Sequence, residues 1–506
     1  MDFTLSGAQK APPLRAAPSL DGFSPRRCRH AQPIPSATPG TSTDPPYLVH
    51  LASLSTPNPS LLAVSHPSLL TLVDKATHSV LHHASLADAH RITQLHALTP
   101  GGLGSTFIAS STAGTVSSFD VRSPSALTQP TLVLRGPRGA PYHSVAASPH
   151  ATNPHLVAAG TELVGVDAHV DIYDVRSPAA PLFRYTESHS DDVTSLRFHP
   201  SPHHADILVT GSTDGLVCAI DTTVDNEDDA VIAVGNTASS VARSGWGGGG
   251  SQVWGKPAAT AQADVDMTAD VDDDDDLNQQ EADARRKGLG SVWAVGDMQT
   301  LSVWDADKFD PLLDPVDVRS STCLRPAWTT DYIIDAHCTS HLASSASSAT
   351  GGVTLYVGTT EGSFSILTAS PEGAGGWRME ALFPQAAAGA VGAAAGGHSD
   401  IVRCVDYDPA SRILYSGGED GRLCMWRLAG ADDDGGDEAD GAATQIRQSM
   451  GGAAMDQAPA AGTAAFLGAI RAGGGRGMSE SSGGARGGAR SESAHTGRSQ
   501  RWKPYG

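Results

Sequence analysis

Two stretches of this chain repeat each other without a gap, and a repeat of that length decides what kind of fold is open to it. His189-Ser-Asp-Asp-Val-Thr-Ser-Leu-Arg-Phe-His-Pro200 matches His398-Ser-Asp-Ile-Val-Arg-Cys-Val-Asp-Tyr-Asp-Pro409. Each ends in apolar–polar alternation, Leu196 and Phe198 in one and Val405 and Tyr407 in the other, which is the period of a half-buried strand. After a variable loop the match resumes, Ile207-Leu-Val-Thr-Gly-Ser-Thr-Asp-Gly215 against Ile413-Leu-Tyr-Ser-Gly-Gly-Glu-Asp-Gly421. An Asp-Gly pair between two β-rich runs marks a hairpin, because glycine accepts the positive φ of such a turn. The closing strand of each pair recurs along the chain, with its last apolar residue at Val73, Phe119, Tyr173, Ile220, Trp304, Ile366 and Trp426. The spacing is about 50 residues once an acidic insertion is set aside, and such a period predicts one radial or solenoid array rather than separate domains. The hairpins and the two-residue period exclude a helical repeat.

The histidine near the start of these units and Trp304-Asp305 at the end of one resemble WD repeats more than kelch repeats. The resemblance spans 46–430, is fullest in units four and seven, and implies an all-β fold, a seven-bladed β-propeller. In WD repeats a structural network joins the early histidine, a Ser or Thr on the second strand, the turn aspartate and the tryptophan. Unit seven matches it fully with His398, Ser416, Asp420 and Trp426. Unit four has His189, Thr210 and Asp214, with Ile220 where the tryptophan would stand. These residues are expected to be structural. Unit seven supplies three clear strands, so a segment near Tyr47 to Leu51 is expected to provide the fourth and close the ring.

Outside the generic repeat, several stretches are similar to WD repeat-containing protein 89 and its fungal relatives. They are His189-Ser-Asp-Asp-Val-Thr, Asp225-Asn-Glu-Asp-Asp-Ala230, Ser239-Ser-Val with Gly245-Trp246, Asp317-Val-Arg319, Asp331-Tyr-Ile-Ile334 and Gly418-Glu-Asp-Gly421, with the ending Arg501-Trp-Lys-Pro-Tyr505. That resemblance implies a non-enzymatic propeller, at least partly nuclear.

The net charge of −21 is unevenly spread. Acidic residues crowd the stretch from Asp264 to Lys287, with the run Asp272 to Asp276, and again from Asp432 to Asp440, whereas Arg471 to Gly506 is basic. Runs of like charge stay solvated, and a Gly/Ala/Ser-rich segment buries too little apolar area to offset chain entropy. The expected organisation is a disordered Pro-rich arm over 1–45, the propeller over 46–430 with an acidic disordered insertion at 255–288 inside blade five, and a disordered tail over 431–506. So acidic a chain argues against a whole-surface grip on nucleic acid. No run approaches the ~18 apolar residues of a membrane span, and Met1 to Ala31 lacks the apolar core of a signal peptide. A monomer of nucleus or cytoplasm, without membrane contact, is the expectation.

Cys28, Cys218, Cys323, Cys338, Cys404 and Cys424 form no C-x-x-C pair, which suits reduced, buried thiols. Cys218 and Cys424 stand two positions before Ile220 and Trp426, on the same face of their strands, and read as core. No metal or cofactor is expected. His199, His203 and His204, and likewise His78, His82 and His83, lack a carboxylate or thiol at ligand spacing and read as solvated loop histidines. Gly247 to Gly250 is not followed by the Lys-Ser/Thr of a phosphate loop, and Asp225, Glu227, Asp228 and Asp229 share one exposed loop rather than flanking a substrate. The chain therefore reads as a protein-binding scaffold and not as an enzyme.

Three features could carry partners. Phe119-Asp120-Val121-Arg122 and Tyr173-Asp174-Val175-Arg176 resemble the boxes by which substrate receptors of cullin-based ubiquitin ligases dock an adaptor, since an arginine can meet a carboxylate with two prongs. The plainer reading is that each arginine pairs with a neighbouring blade. The tail segment Gly483 to Arg490 resembles Gly/Arg segments that bind RNA. Finally, Arg501, Trp502, Lys503, Pro504 and Tyr505 combine the residue types of binding hot spots and read as a docking peptide for a partner or transport receptor.

Overall fold

The computed structural model describes residues 28–33 and 47–428, except 55–59, 66–68, 86–90, 99–104, 123–126, 137–138, 151–152, 248–286, 321–329, 339–352, 370–376, 387–395 and 410. The alternating patterns become seven four-stranded antiparallel sheets. The first strand in the chain, β1 (Cys28–Pro33), stands apart from its neighbours in sequence. Blade one holds β2 (Leu48–Leu54), β3 (Ser60–Ser65), β4 (Leu69–Asp74) and β5 (Val80–Ser85). Blade two holds β6 (Ile92–Leu98), β7 (Thr106–Ser111), β8 (Thr115–Asp120) and β9 (Leu132–Arg135). Blade three is β10 (Tyr142–Ala147), β11 (Leu156–Thr161), β12 (Ala168–Asp174) and β13 (Phe183–His189). Blade four is β14 (Val193–Phe198), β15 (Ile207–Ser212), β16 (Leu216–Asp221) and β17 (Val231–Asn236), with the one-turn helix α1 (Glu227–Ala230) before its last strand. Blade five is β18 (Val241–Gly247), β19 (Ser291–Gly296), β20 (Thr300–Asp305) and β21 (Pro311–Asp317). Blade six is β22 (Tyr332–Cys338), β23 (Val353–Gly358), β24 (Phe364–Ala369) and β25 (Trp377–Phe383). Blade seven takes β26 (Val402–Asp408), β27 (Ile413–Gly418) and β28 (Arg422–Arg427) from the end of the described chain.

The first strands β2, β6, β10, β14, β18, β22 and β26 touch in succession, and β26 touches β2. The sheets therefore close into a ring with these strands innermost. The fourth strand of blade seven is β1, antiparallel to β28 with Ala31 opposite Cys424. This corrects the expectation for closure: the residues near Tyr47 to Leu51 enter β2, the inner strand of blade one, and the closing strand comes from within the arm. Lys75 of blade one reaches Asp408 of blade seven at 3.0 Å, a second tie across the same seam.

The core lies between blades. There are seven buried clusters among the described residues, and each is shared by one adjacent pair of sheets. Phe107 and Phe119 of blade two pack with Leu62 and Leu72 of blade one, and Phe364 and Phe383 of blade six pack with Trp426 of blade seven. A single blade has two apolar faces and cannot bury either alone, so the ring is the smallest unit that excludes water. With aromatics at only 5% of the chain, Val, Leu, Ile and Ala fill most of these interfaces. Cys218 sits in the same cluster as Ile220, and Cys424 in the same cluster as Trp426, as period-two geometry predicts. No helix among the described residues is long and apolar enough to cross a membrane.

Candidate functional site

His398 ends the turn that leads into blade seven, and its Nδ1 lies 3.1 Å from Asp420 Oδ1. A carboxylate only accepts, so Nδ1 carries the proton. Its Nε2 lies 2.7 Å from Ser416 Oγ, which accepts the Trp426 indole N–H at 2.8 Å. Four side chains thus tie the turn before β26 to β27, to β28 and to the turn between them, and the histidine is fully buried. Blade four repeats the arrangement with His189, Asp214 at 3.2 Å and Thr210 at 2.7 Å. With Ile220 in place of tryptophan, no indole donates to Thr210, whose hydroxyl donates instead to the Cys218 carbonyl at 3.4 Å. Burial is the largest single influence and lowers the His189 pKa, but Asp214 and Cys218, by hydrogen bond and charge, together outweigh it and lift the value to about 9.

Blade three carries a different buried network that the sequence reading missed. The Tyr142 hydroxyl donates to Asp171 at 2.5 Å and lies 2.8 Å from the Tyr173 hydroxyl. Asp171 is fully buried and receives Arg184 through Nε at 2.5 Å and Nη2 at 2.9 Å. An aspartate at an inward strand position, with an arginine on the next strand, is the signal that would have found it.

Arg122 and Arg176 do not pair with a neighbouring blade. Each folds back on the aspartate two residues before it. Arg122 Nε lies 2.9 Å from Asp120 Oδ1, and Arg176 Nε lies 2.9 Å from Asp174 Oδ1. Arg319 and Asp317 repeat the motif at 3.0 Å. Burial alone would raise the Asp120 and Asp174 pKa values, but hydrogen bonds from these arginines hold both below the ordinary carboxylate range.

Two other expectations change. His199 is buried, not solvated: its Nε2 lies 3.0 Å from the Leu289 carbonyl, and its ring meets the Trp246 ring edge-on at 4.6 Å. Glu227 opens α1, and its carboxylate accepts the backbone N–H groups of Thr186 at 2.6 Å, Glu187 at 2.9 Å and Ser188 at 2.7 Å, pinning β13. His82 and His83 lie on β5. Among the described residues no group of three or more His, Cys, Asp or Glu is placed to hold a metal ion. Arg501, Trp502, Lys503, Pro504, Tyr505, the Gly/Arg segment and the acidic insertion up to residue 286 lie outside the described residues.

The axis of the ring is the site the motifs did not reveal. All seven inner strands carry a register shift at the same place, between the pairs Leu48/His50, Ile92/Gln94, Tyr142/Ser144, Val193/Ser195, Val241/Arg243, Ile333/Asp335 and Val402/Cys404. A bulge re-aims the side chains after it. Counting from that shift, equivalent positions hold His50, Arg243 and Asp335 in one layer and His96, Arg197, His337 and Asp406 in the next. Arg243 of blade five reaches Asp335 of blade six at 3.0 Å, and His337 reaches the same carboxylate at 3.3 Å. Burial pushes Asp335 upward, but Arg243, His337 and Arg197 together hold it far below the ordinary range. Burial, with Arg243 beside one and Arg197 beside the other, lowers His50 and His96 to about 4, so both are neutral at pH 7. Asp406 accepts a hydrogen bond from Ser53 across the seam between blades one and seven. Where the inner strands end, His96, Arg197, His337, Phe198, Trp246 and Trp293 help line a cavity of about 270 Å³.

The comparisons agree with this architecture. The family described as WD domain, G-beta repeat matches residues 181–221 and 394–427. Its first match begins just before β13, so the sequence repeat is offset from the blade by one strand. An uncharacterized WD repeat-containing protein of Saccharomyces cerevisiae is 39% identical over 139 residues, 28% of this chain and 33% of that protein. WD repeat-containing protein GTS1 of Arabidopsis thaliana is 27% identical over 256 residues, 48% of each chain. The WD repeat-containing protein 89 homolog of Dictyostelium discoideum is 35% identical over 89 residues, 18% of this chain and 24% of that protein. The matched stretches thus span less than half of these relatives. A chain in the crystal structure of the mitotic checkpoint complex superposes with a TM-score of 0.50 at 14% identity, covering 85% of this chain and 98% of that one, a likeness of fold alone. Its repeats, its closed ring and its relatives make this chain a seven-bladed β-propeller of WD40 repeats, homologous to WD repeat-containing protein 89 homolog and to uncharacterized fungal WD proteins.

Proposed function

We propose that the chain is a non-enzymatic scaffold that assembles other proteins on the propeller. WD-repeat propellers generally act this way, and the ring gives a partner a rigid surface. The observation that carries the reading is the contrast between blade interfaces and turns. Every interface is packed, while the turn between β11 and β12 leaves Leu163 and Val166 45% and 78% exposed. Exposed apolar side chains on a turn held by a rigid ring suit a contact surface. Affinity purification of the intact chain with mass spectrometry tests it. Recurrent protein partners, reduced by Leu163→Asp with Val166→Asp, are expected; an empty purification would overturn the reading.

Docking of a ubiquitin-ligase adaptor through Arg122 and Arg176 is a narrower version, and here each arginine must first leave its own aspartate. Adaptor co-purification lost in Arg122→Ala with Arg176→Ala would support it. RNA binding by the Gly/Arg tail and partner or receptor docking by Arg501 to Tyr505 are supported by composition alone. Salt-sensitive crosslinking to RNA after Ile470, and loss of a partner or of nuclear residence on removing 501–506, are their tests.

A further inference from the structure

We propose that the cavity at the end of the inner strands binds the carboxy-terminal residue of a partner polypeptide, its carboxylate on Arg197 and its large apolar side chain between Trp246 and Trp293. The inference rests on the scaffold reading and names the chemistry of the partner. Among the axial cations, Arg197 feels Asp335 through space but has no direct partner among the described residues. Arg243 is paired with Asp335 at 3.0 Å, and Lys75 with Asp408 at 3.0 Å, whereas the Arg197 guanidinium makes no hydrogen bond or ion pair with another described residue. It lies on the cavity wall beside His96 and His337. With His96 neutral, Arg197 supplies the guanidinium fork on this wall. A guanidinium fork matches one carboxylate with two parallel hydrogen bonds.

Much of the remaining lining is apolar and fixed. Trp246 Nε1 donates to the Arg197 carbonyl at 2.9 Å, and Trp293 Nε1 donates to the Trp246 carbonyl at 3.1 Å. Both indole N–H groups are thus used, which leaves carbon edges toward the cavity, and Phe198 extends the wall. Gly245 keeps the space open for the second ring, since a Cβ there would come within 2.6 Å of Trp293 Cζ2. A volume of about 270 Å³ holds little more than one large residue. One carboxylate and one large apolar side chain that close together belong on a single carbon, as they do at a chain terminus. A chain end also enters the mouth of a closed ring end-on, whereas an internal acidic residue would need the backbone to turn within it.

Fluorescence anisotropy with the intact chain tests this, using fluorescein-labelled Gly-Ser-Gly-Ser-Leu-Phe as the free acid and as the carboxamide. The acid is expected to bind about 10-fold or more tightly than the amide, the worth of a charge-assisted hydrogen bond. Arg197→Met should erase that preference, and Trp246→Ala should weaken both forms. Equal affinity of acid and amide for the unaltered protein overturns the proposal, as does no binding of either at ~1 mM. Equal binding of an amidated peptide with an internal glutamate before phenylalanine also overturns it. The acid–amide comparison needs no variant, so a misfolded Arg197→Met leaves it decisive. Partners recovered by affinity purification without peptide binding would sink this inference alone. An empty purification would sink the scaffold reading, while the peptide titration still reports on the cavity.

Discussion

At the scale of single residues, the buried polar networks set the costs. Ser416 receives the Trp426 indole and meets His398, so Ser416→Ala strands two buried groups at once. Each buried group left unmatched costs about 1–3 kcal/mol, and chemical denaturation should register a loss of that size or larger. Blade three is more exposed to damage because Asp171 is fully buried against Arg184. Arg184→Ala leaves an uncompensated carboxylate among Tyr142 and Tyr173, and a fall in unfolding free energy of about 3–5 kcal/mol is expected by the same measurement. Arg122→Ala breaks a pair whose arginine is 47% exposed, so its effect should stay within about 1 kcal/mol. The first of these networks was legible, because the spacing of His398, Ser416, Asp420 and Trp426 is a motif. The blade-three network was not, since Tyr142, Asp171 and Arg184 come from three strands and no spacing joins them. His199 was misread for a related reason: a histidine next to a proline suggests a loop, and only the approach of Trp246 and Leu289 buries it.

At the scale of elements, alternation and Asp-Gly turns made the blades readable, and the missing fourth strand of blade seven was readable too. Its identity was hidden because Cys28-Arg-His-Ala-Gln-Pro33 has no apolar alternation. The strand is specified by the edge it covers: the β28 edge bearing Cys424 and Trp426 offers unpaired backbone groups, and β1 satisfies them with Cys28 opposite Trp426. An uncovered edge beside an apolar cluster is an aggregation site. Removing residues 1–33 should therefore lower stability by on the order of 3–5 kcal/mol, from lost backbone hydrogen bonds at about 1 kcal/mol each. It should also move the protein to larger species on size-exclusion chromatography. A synthetic peptide spanning 24–37 should restore both in trans, as an added strand does at an open sheet edge. Unchanged melting and elution after truncation would mean that β1 does not hold the ring. The common bulge of the inner strands was equally hidden, since it becomes visible only when the seven registers are compared.

At the scale of the whole molecule, the ring places neutral histidines from several blades where protonation is unfavourable. His50 belongs to blade one, His96 to blade two and His199 follows the inner strand of blade four, and burial is the first cause that lowers each to about 4. His50 faces Arg243, with Asp335 pulling the other way; His96 faces Arg197; His199 faces His204 and His150. In the unfolded chain each returns to the ordinary value of about 6.5. Above pH 6.5 both states are neutral at these sites, and the linkage is silent. Between pH 6.5 and 4 the unfolded chain binds protons that the folded ring refuses, so stability falls as the pH falls. Each histidine contributes a slope of up to about 1.4 kcal/mol per pH unit in that window. The carboxylates held low by their partners, Asp214 and Asp420 among them, act separately, below their ordinary value near 3.8. In urea unfolding at steps from pH 7.5 to 4.5, stability should first rise slightly, because His189, lifted to about 9, holds a proton in the folded state that the unfolded chain still lacks. It should then decline steeply below pH 6.5, with close to three protons taken up at His50, His96 and His199 on unfolding near pH 5. His96→Gln should remove one of the three. A decline that begins only below pH 4 would assign acid sensitivity to the carboxylates, and the axial histidines would then be in contact with water.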